Sequence, residues 1–486
     1  MGNQYVDAIV KAPGQYPEND FGSQVTAHFD NPGELYKITE AYCLVGRFEE
    51  ACVLYERILS LNPAWIDVLD PYARALFAHH NYGLAKKKWQ LFLDERKRGY
   101  QKIGMPTNFY TVDDVFISSF GNFTHYYPMD KCGYLSKDDK FYYHITPKSE
   151  GRRSDLGARR NPISNKALHD NVFERLKDGI PRDILPLLAQ DDYITRVPFY
   201  CATDLNRRPT HFHAAYAEKI LELCRTGAAA QLRYTQQQIE DCERKLANMG
   251  LDLKRPIVCV HARESGYWGR TGDPTHSTKN ADILSFIPAI KYLTSNGYQV
   301  VRLGDPTMKR MPKMEFVFDY AHSSQKDDYV DLYLLTKSTF LLCTSSGPFT
   351  VASMFNVPVL ATNWISGHLL PFLPRDIILM KHFKWRSTGK PLSYKEVLDL
   401  DYGEFSYYNL QRKGVEYVDN TPDEILRATK EMLDRLSTDE AETSLVTKGI
   451  KFVSKLSGAR HFNALRFQGK AIVSEARFAH GSLGDG

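Results

Sequence analysis

The sequence predicts an α/β protein with parallel sheets, preceded by a short helical repeat. Two patterns and the length support this prediction. Apolar, strand-like runs alternate with amphipathic helical segments after about residue 100, residues 34–97 repeat internally, and 486 residues exceed what one compact core usually holds. We therefore expect five parts: an N-terminal extension at 1–33, helices at 34–98, a first α/β domain at 99–248, a second at 249–420, and C-terminal helices with a tail at 421–486.

The helical repeat is defined by small and aromatic residues at equivalent positions. They are Gly46 at an inter-helix turn and, on one face of successive helices, Ala51, Tyr55, Ile58, Ala85, Trp89 and Phe92. The spacing resembles that of a pair of tetratricopeptide units, which repeat about every 34 residues. Two units are too few to be stable alone, so we expect them to dock on the first α/β domain. A structural clamp and a module that binds a protein partner both remain open.

The first α/β domain is predicted from strand-like runs and amphipathic helices. Its expected elements are a strand at 113–120 followed by a loop from Gly121 to His125, a strand at 140–145, helices at 166–179, 211–224 and 233–248, and a basic surface loop at 151–162. Gly250 follows the last helix as a C-terminal cap.

The second α/β domain shows the clearest alternation of strands and helices. The expected strands are 256–261, 298–303, 315–320, 339–343 and 357–362, and the expected helices begin at Asn280, 327, 348 and 422. Asn280 is predicted to cap the first of these helices, with Asp282 in its first turn, and Thr421 with Pro422 to cap the last. This order is typical of a doubly wound sheet with helices on both faces.

Composition narrows the class of protein. The net charge is only +4, from 62 Lys and Arg against 58 Asp and Glu, which argues against nucleic acid as a partner. No apolar run is long enough to span a bilayer, and the N-terminal residues do not form a secretory signal. The 8 cysteines include no Cys-x-x-Cys pair, so we expect reduced thiols in a cytoplasmic protein.

Three polar clusters follow three strands of the second α/β domain. They are His261-Ala262-Arg263-Glu264, Gly304-Asp305-Pro306, and Thr344-Ser345-Ser346-Gly347-Pro348. In an open parallel sheet, ligands bind outside the carboxyl ends of the strands, so the three clusters should converge on one crevice.

The residue types in these clusters suit a nucleoside diphosphate. Arg263 could bridge diphosphate oxygens with two hydrogen bonds, and Pro348 and Gly347 would start a helix whose free N–H groups attract an anion. Asp305 could accept hydrogen bonds from a ribose or a base. The plainer alternatives are an ion pair between Arg263 and Glu264, a turn aspartate before Pro306, and an ordinary capped helix.

Together, the clusters resemble the motifs of the fucosyltransferase-like superfamily of GT-B glycosyltransferases. More closely, the run HARE, NADI, RLGDPTM, DYAHS, TSSG and VPVLATNW is similar to a family of uncharacterised bacterial proteins assigned as glycosyltransferases, which often carry tetratricopeptide helices upstream. The resemblance covers roughly residues 100–400. It implies two Rossmann-like domains, with a nucleotide-sugar donor in the second and an acceptor site facing the first.

The resemblance also implies residue roles. The donor-binding residues would be His261, Arg263, Gly304, Asp305, Thr344, Ser345, Ser346 and Gly347. The candidates for catalysis are Arg263, Glu264, His125 and Asp273. Glu264 departs from the superfamily, which usually has a second arginine there, so the donor is not necessarily GDP-fucose, although a GDP-sugar stays possible. No metal is expected: Asp399 and Asp401 lie far beyond the motifs, and His211 with His213 lacks a third ligand nearby.

The leading hypothesis is a metal-independent, inverting glycosyltransferase that moves a hexosyl or deoxyhexosyl group to a glycan, a lipid-linked or a protein acceptor. It would need no cofactor besides its donor. One alternative within the same fold is retaining transfer. Alternatives of other classes are a catalytically inactive scaffold built on the helical repeat, which has no reason to keep Arg263, Asp305 and the serine pair, and a nucleotide-sugar epimerase.

Overall fold

The chain was examined as a computed structural model. It describes residues 4–11, 18–79, 81–106, 109–112, 140–143, 165–172, 176–177, 181–188, 201–203, 209–211, 223, 226, 229–264, 274–365, 373, 375–393, 396, 407–437 and 472–473. Within these ranges no helix is both long enough and apolar enough to cross a bilayer.

Helices dominate the N-terminal part and flank the sheets elsewhere. The α-helices are Gln4–Lys11 (α1), Glu18–Ala27 (α2), Pro32–Leu44 (α3), Phe48–Leu61 (α4), Leu69–Ala78 (α5), Tyr82–Ile103 (α6), Lys166–Val172 (α7), Leu185–Leu188 (α8), Gln236–Asn248 (α9), Ile287–Ser295 (α10), Asp328–Lys337 (α11), Gly347–Met354 (α12), Tyr407–Arg412 (α13) and Pro422–Ser437 (α14). Short 3₁₀ helices lie at Ile66–Val68, Pro274–Lys279, Ile283–Phe286 and Tyr320–His322.

The strands form several separate sheets. They are Phe109–Val112 (β1), Lys140–Tyr143 (β2), Leu176–Lys177 (β3), Cys201–Thr203 (β4), Pro209–His211 (β5), Ile257–His261 (β6), Gln299–Arg302 (β7), Val317–Phe318 (β8), Ser338–Cys343 (β9), Val359–Trp364 (β10), Ile377–Met380 (β11), His382–Trp385 (β12), Val415–Val418 (β13) and Ile472–Val473 (β14).

Helices α3 to α6 pack as two antiparallel hairpins around one apolar core. The residues predicted to recur on the inner faces are buried there: Ala51, Tyr55, Ile58, Ala85, Trp89 and Phe92. Asp70 is also buried, and it accepts a hydrogen bond from Trp89 Nε1 at 3.1 Å. Helix α1, which the sequence did not predict, adds Ile9 to this core. The burial confirms the predicted helix faces; membership of the tetratricopeptide class stays a prediction.

The helical hairpins dock on two other parts of the chain. At the end of α6, Tyr100 and Met105 pack against Tyr142 of β2 and against Ile184, which confirms the expected contact with the first α/β region. The second contact was not predicted. Tyr408 of α13 is fully buried in the helical core, so a segment more than 300 residues away in sequence completes that core.

Backbone groups at the turn between α3 and α4 bind α13. Arg412 donates from Nε to the carbonyl of Val45 at 2.8 Å and from Nη2 to that of Gly46 at 3.3 Å. Gly46 has a φ of +75°, and a Cβ built there would lie 2.5 Å from Cγ of Asn409. Glycine is required at this turn both for its conformation and for the close approach of α13.

A pair of glycine substitutions tests this contact. Gly46→Ala and Gly104→Ala place a Cβ at similar φ values, +75° and +71°, but the Cβ at 104 meets nothing within 4 Å. The left-handed backbone costs roughly 1–2 kcal/mol in both variants, and only Gly46→Ala also displaces α13. We therefore expect calorimetry to show a clearly larger drop in melting temperature for Gly46→Ala. Equal drops would show that the contact with α13 contributes nothing.

The first predicted α/β domain is described only in parts. Strands β1, β2 and β3 pair in parallel, and β4 pairs antiparallel with β5. The predicted helix at 166–179 ends at Val172, because Leu176 and Lys177 instead pair with Phe141 and Tyr142 of β2. The strand predicted at 113–120, the loop from Gly121 to His125 and the basic loop at 151–162 lie outside the described residues, as does most of the helix predicted at 211–224.

The second domain is built on a parallel sheet with the strand order β14-β11-β10-β9-β6-β7-β8. From β6 the chain moves outward through β7 to β8, then returns to the other side of β6 and continues through β9, β10 and β11. Apart from the added β14, this is the strand order of the doubly wound nucleotide-binding sheet, in which the direction of winding reverses beside the first strand. The reversal lies between β6 and β9, which pair in parallel from Val258 to His261.

Helices cover both faces of this sheet, as the sequence predicts. Side chains alternate along β6: Ile257 and Cys259 join the core beneath α9, α11 and α12, whereas Val258 and Val260 join the core beneath α10 and α14. Each face buries branched and aromatic side chains completely, and this burial fixes the register of the strands.

Four features of this domain differ from the predicted ones. Asp282, not Asn280, caps the first helical turn by accepting from the backbone N–H of Leu284 at 3.0 Å. A 3₁₀ turn follows, so α10 begins only at Ile287. The strand predicted at 315–320 shortens to β8 because the chain turns at Tyr320–His322. In the C-terminal part, β14 pairs with β11, and the sequence analysis predicted neither strand.

Candidate functional site

The carboxyl ends of β6 and β9 meet at the point where the strand order reverses. Two backbone-centred hydrogen bonds join them: Thr344 N–H donates to the carbonyl of His261 at 3.1 Å, and Arg263 N–H donates to Thr344 Oγ1 at 2.9 Å. The carbonyl of Arg263 accepts from Ala281 N–H at 3.1 Å. The backbone of Arg263 is thus fixed from both sides, so its side chain starts from a rigid position at the crevice.

His261 and Ser346 form a side-chain link across the same crevice. Ser346 Oγ lies 3.0 Å from His261 Nδ1 and also donates to the carbonyl of Thr344 at 3.2 Å. Burial is the main cause that lowers the pKa of His261 to about 3, and the charges of Arg302, Arg263 and Lys326 lower it further. The imidazole is therefore neutral near pH 7. The same cations make this end of the sheet attractive to an anion.

The start of α12 leaves backbone donors facing the crevice. Ser346 precedes the helix with extended backbone, its side chain forms no cap hydrogen bond, and Pro348 lies in the first turn. Pro348 has no N–H and Phe349 N–H donates to the Ser346 carbonyl at 3.3 Å, so Gly347 supplies the N–H at the very start of the helix. Together with the helix dipole, this donor favours a negative ligand.

A buried arginine lies on the other side of β6, at the end of β7. The side chain of Arg302 is completely buried between two carboxylates, with Nη2 at 3.5 Å from Glu264 Oε1 and Nη1 at 3.4 Å from Asp319 Oδ1. Burial lowers the pKa of Arg302, while Asp319 and Glu264 oppose that shift. Glu264 also accepts from Lys309 N–H through Oε2 at 2.6 Å. These contacts place the Glu264 carboxylate on the β7 side, away from the serine loop.

The loop after β7 is held in a fixed shape. Asp305 Oδ1 accepts from Thr307 N–H at 2.8 Å, which forms the turn before Pro306. His322 lies between this loop and Asp319, with Nε2 at 2.9 Å from the Met308 carbonyl and Nδ1 at 2.9 Å from Asp319 Oδ2. Gly304 has a φ of +154°, and a Cβ there would lie 2.5 Å from Met308 Sδ. The positive φ favours glycine here, and a larger residue would displace the Met308 side chain.

The structure brings together most of the residues predicted to bind a donor. His261, Arg263, Thr344, Ser345, Ser346 and Gly347 lie at the reversal point, and Gly304 and Asp305 follow the neighbouring β7. Two candidates for catalysis, His125 and Asp273, lie outside the described residues, and so do Asp399, Asp401 and His213.

Sequence reasoning missed two cations of this site, Arg302 and Lys326. Arg302 had a visible signal, because a single charge inside the apolar run QVVRL must be paired when it is buried. No such signal marks Lys326. It lies in the turn before α11, pairs with Asp331 at 2.9 Å, and its charge lowers the pKa of His261.

Within the described ranges, no three His, Cys, Asp or Glu side chains cluster in a way that could hold a metal ion. Among the described residues, the cysteines at 43, 52, 242, 259 and 343 form no disulfide bond.

The environment of His261 predicts a pH dependence of stability. In the unfolded chain the imidazole has its ordinary pKa of 6.5, against about 3 in the folded protein. As pH falls from 6.5 towards 3, the unfolded state binds a proton that the folded state does not, so the free energy of unfolding decreases by about 1.4 kcal/mol per pH unit. The contribution of the buried neutral His261 to the free energy of unfolding is therefore fully present only above pH 6.5.

We therefore expect the melting temperature of His261→Asn to fall less than that of the wild type when the pH is lowered from about 7 to about 5. A control variant, His28→Asn, changes a partly exposed histidine in α2's flanking turn. Parallel pH profiles of the wild type and His261→Asn would show that His261 does not titrate in this way.

Comparisons with known proteins identify no family. No family model matches the chain, and no curated protein matches it.

Three solved structures show a weak overall likeness. The glycosyl transferase family 9 protein from Veillonella parvula DSM 2008 has a TM-score of 0.30 and 14% identity, covering 52% of this chain and 79% of its own. The iron-containing dodecameric glycosyltransferase TibC from enterotoxigenic E. coli H10407 has a TM-score of 0.27 and 14% identity, covering 50% of this chain and 57% of its own.

A structure of TibC as a heptosyltransferase with ADP-D-beta-D-heptose has a TM-score of 0.25 and 15% identity, over 52% of this chain and 57% of its own. At TM-scores this low, the likeness establishes neither a shared fold nor a shared activity.

Proposed function

We propose that this protein is a glycosyltransferase of GT-B architecture whose nucleotide-sugar donor binds where β6 and β9 diverge. The observation that carries this proposal is the convergence, at the reversal of strand order, of a basic strand end and an open helix start. In this assignment Arg263 and the first turn of α12 hold the diphosphate, Ser345 adds a hydroxyl donor, and the Ser346 hydroxyl becomes a second donor when it turns from the Thr344 carbonyl to the ligand.

Electrostatics support the placement of a diphosphate at this point. The charges of Arg302, Arg263 and Lys326 all act on His261, and the imidazole itself is neutral. Arg302 and Lys326 are paired with carboxylates, so Arg263 is the cation assigned to the diphosphate. A guanidinium and fixed N–H groups stabilise the charge that develops on a leaving diphosphate, which is the main requirement of glycosyl transfer.

The position of Glu264 removes an objection to this assignment. A carboxylate next to a diphosphate would be unfavourable, but that of Glu264 faces Arg302 and the loop after β7. The proposed acceptor, a glycan, a lipid-linked sugar or a protein, approaches from the side of the first α/β domain. Inverting transfer, with a base among Glu264, His125 and Asp273, is part of the proposal.

A thermal-shift screen tests the proposal. A ligand that binds only the folded state raises the melting temperature, by an amount that corresponds to about 2.7 kcal/mol at a hundredfold excess over Kd. The panel comprises GDP-, UDP-, dTDP-, CDP- and ADP-sugars, CMP-sialic acid, and the matching nucleosides without phosphate. We expect one diphosphate series to stabilise the protein and its nucleoside to have no effect. Stabilisation by none of them, with protein partners captured by the full-length protein, would favour the inactive scaffold.

We also expect transfer to survive EDTA. Arg263 and the helix start supply positive charge at the diphosphate, so a divalent ion is not required to stabilise the leaving group. The measurement is turnover with the donor found in the screen, before and after chelation. Complete loss of turnover that Mg²⁺ or Mn²⁺ restores would contradict the prediction.

A further inference from the structure

The ends of β6 and β7 hold three buried polar groups whose hydrogen-bonding capacity is incompletely used. Among the described residues, none hydrogen-bonds to Arg302 Nε or Nη2, to Glu264 Oε1, or to Asp305 Oδ2. Leaving such groups unsatisfied in the interior is unfavourable, and native proteins rarely do so without a reason.

The unused atoms follow a pattern. Each carboxylate has one oxygen fixed by a backbone N–H, Glu264 by Lys309 at 2.6 Å and Asp305 by Thr307 at 2.8 Å, and the other oxygen is unused. Arg302 uses Nη1 for Asp319, which leaves the edge formed by Nε and Nη2. That edge carries two parallel N–H donors, and its Nη2 lies 3.5 Å from Glu264 Oε1.

A donor edge beside one acceptor oxygen of Glu264, with the charge of Asp305 also acting on Arg302, selects one kind of ligand group. A phosphate would be repelled by Glu264 and Asp305, and an ammonium group by Arg302. A hydroxyl fits, because it can accept from the guanidinium and donate to a carboxylate at the same time. Adjacent hydroxyls, as on a sugar ring, would use both carboxylates.

We propose that Glu264 and Arg302, with Asp305, form a subsite for a pair of sugar hydroxyls on the β7 side of the crevice. This subsite rests on the proposed function, since it extends the diphosphate site on the β9 side of the same strand. The atoms are out of contact with solvent, so hydroxyl entry requires the loop from Pro306 to Arg310 to move and the hydrogen bonds that hold it, Lys309 N–H to Glu264 and His322 to the Met308 carbonyl, to open. Four of these five residues are exposed, Met308 being the exception. The hydroxyl pair comes either from the ribose of the nucleotide or from the transferred sugar.

Calorimetric titration of the full-length protein tests the subsite. The probes are the nucleoside diphosphate that stabilises the protein most, its 2′,3′-dideoxy analogue, and its sugar conjugate. The proteins are the wild type, Glu264→Gln and a control, Glu240→Gln, on the exposed surface of α9. If the ribose occupies the subsite, the dideoxy analogue binds the wild type at least tenfold more weakly than its parent, and Glu264→Gln weakens the parent and its sugar conjugate but not the dideoxy analogue.

If the transferred sugar occupies it, removal of the ribose hydroxyls changes nothing, and Glu264→Gln weakens only the sugar conjugate, again at least tenfold. Equal affinities of all three probes for Glu264→Gln and the wild type, or equal losses for all three, would overturn the subsite while leaving the diphosphate site intact. Absence of any nucleoside diphosphate binding to the wild type would overturn the proposed function, and the subsite with it. Should Glu264→Gln fold poorly, Asp305→Asn gives the same readout.

Discussion

Arg263→Ala is expected to abolish sugar transfer while leaving the fold intact. The backbone of Arg263 is held by Thr344 Oγ1 and by Ala281 N–H, and alanine keeps both hydrogen bonds. The substitution removes the guanidinium that the proposal assigns to the diphosphate. Loss of comparable charge stabilisation in a preorganised site costs at least about 3 kcal/mol of barrier, which corresponds to roughly a hundredfold lower turnover.

Turnover with the donor found in the screen measures this effect, and circular dichroism monitors the fold. Arg244→Ala is the matched control, because Arg244 is an exposed arginine of α9 that pairs with Asp241 in the same helix. It should retain full activity. If Arg263→Ala turned over nearly as fast as the control, the proposed role of Arg263 in binding the diphosphate would be wrong.

Deletion of residues 1–98 is expected to make the remaining protein aggregate. It removes most of the helical core, so Tyr408 of α13, fully buried against that core, would become exposed, and Arg412 would lose the carbonyls of Val45 and Gly46 that it binds. Size-exclusion chromatography with light scattering measures the result. Co-expression of the helices as a separate fragment, residues 1–106, should restore a soluble complex if docking is what keeps the remainder in solution.

Other outcomes of the deletion separate the roles left open for the helical hairpins. A soluble truncated protein that transfers sugar to a small acceptor, but fails with a protein or lipid-linked one, would identify the helices as an acceptor-recruiting module. A soluble protein with full activity on the natural acceptor would show that both the docking and the recruiting ideas are wrong.

The second α/β domain was predictable because its signals are local and repeated. Each strand is a short apolar run followed by a polar cluster, and the parallel arrangement follows from the intervening helices. The positions of Arg263 and the serine loop at one crevice could therefore be inferred from the sequence alone. The faces of the helical hairpins were equally readable, from Ala51 to Phe92, because the repeat period specifies them.

The remaining features depend on contacts between distant residues. No local pattern shows that α13 completes the helical core, since Tyr408 is one aromatic residue among many until Gly46 is seen beside Asn409. The direction of Glu264 likewise depends on Arg302 and on the loop that carries Lys309, neither of which its own neighbours in sequence specify. The effect of Lys326 on His261 could not be predicted either, because Lys326 lies in a turn rather than at a strand end.

A crystal structure grown with the nucleoside diphosphate that stabilises the protein most would test the central claim directly. We predict that the diphosphate lies at the carboxyl ends of β6 and β9, with its oxygens within hydrogen-bonding distance of the Arg263 guanidinium and of the backbone N–H groups that start α12. A diphosphate bound elsewhere on the chain, with the start of α12 contacting only solvent, would contradict the assignment.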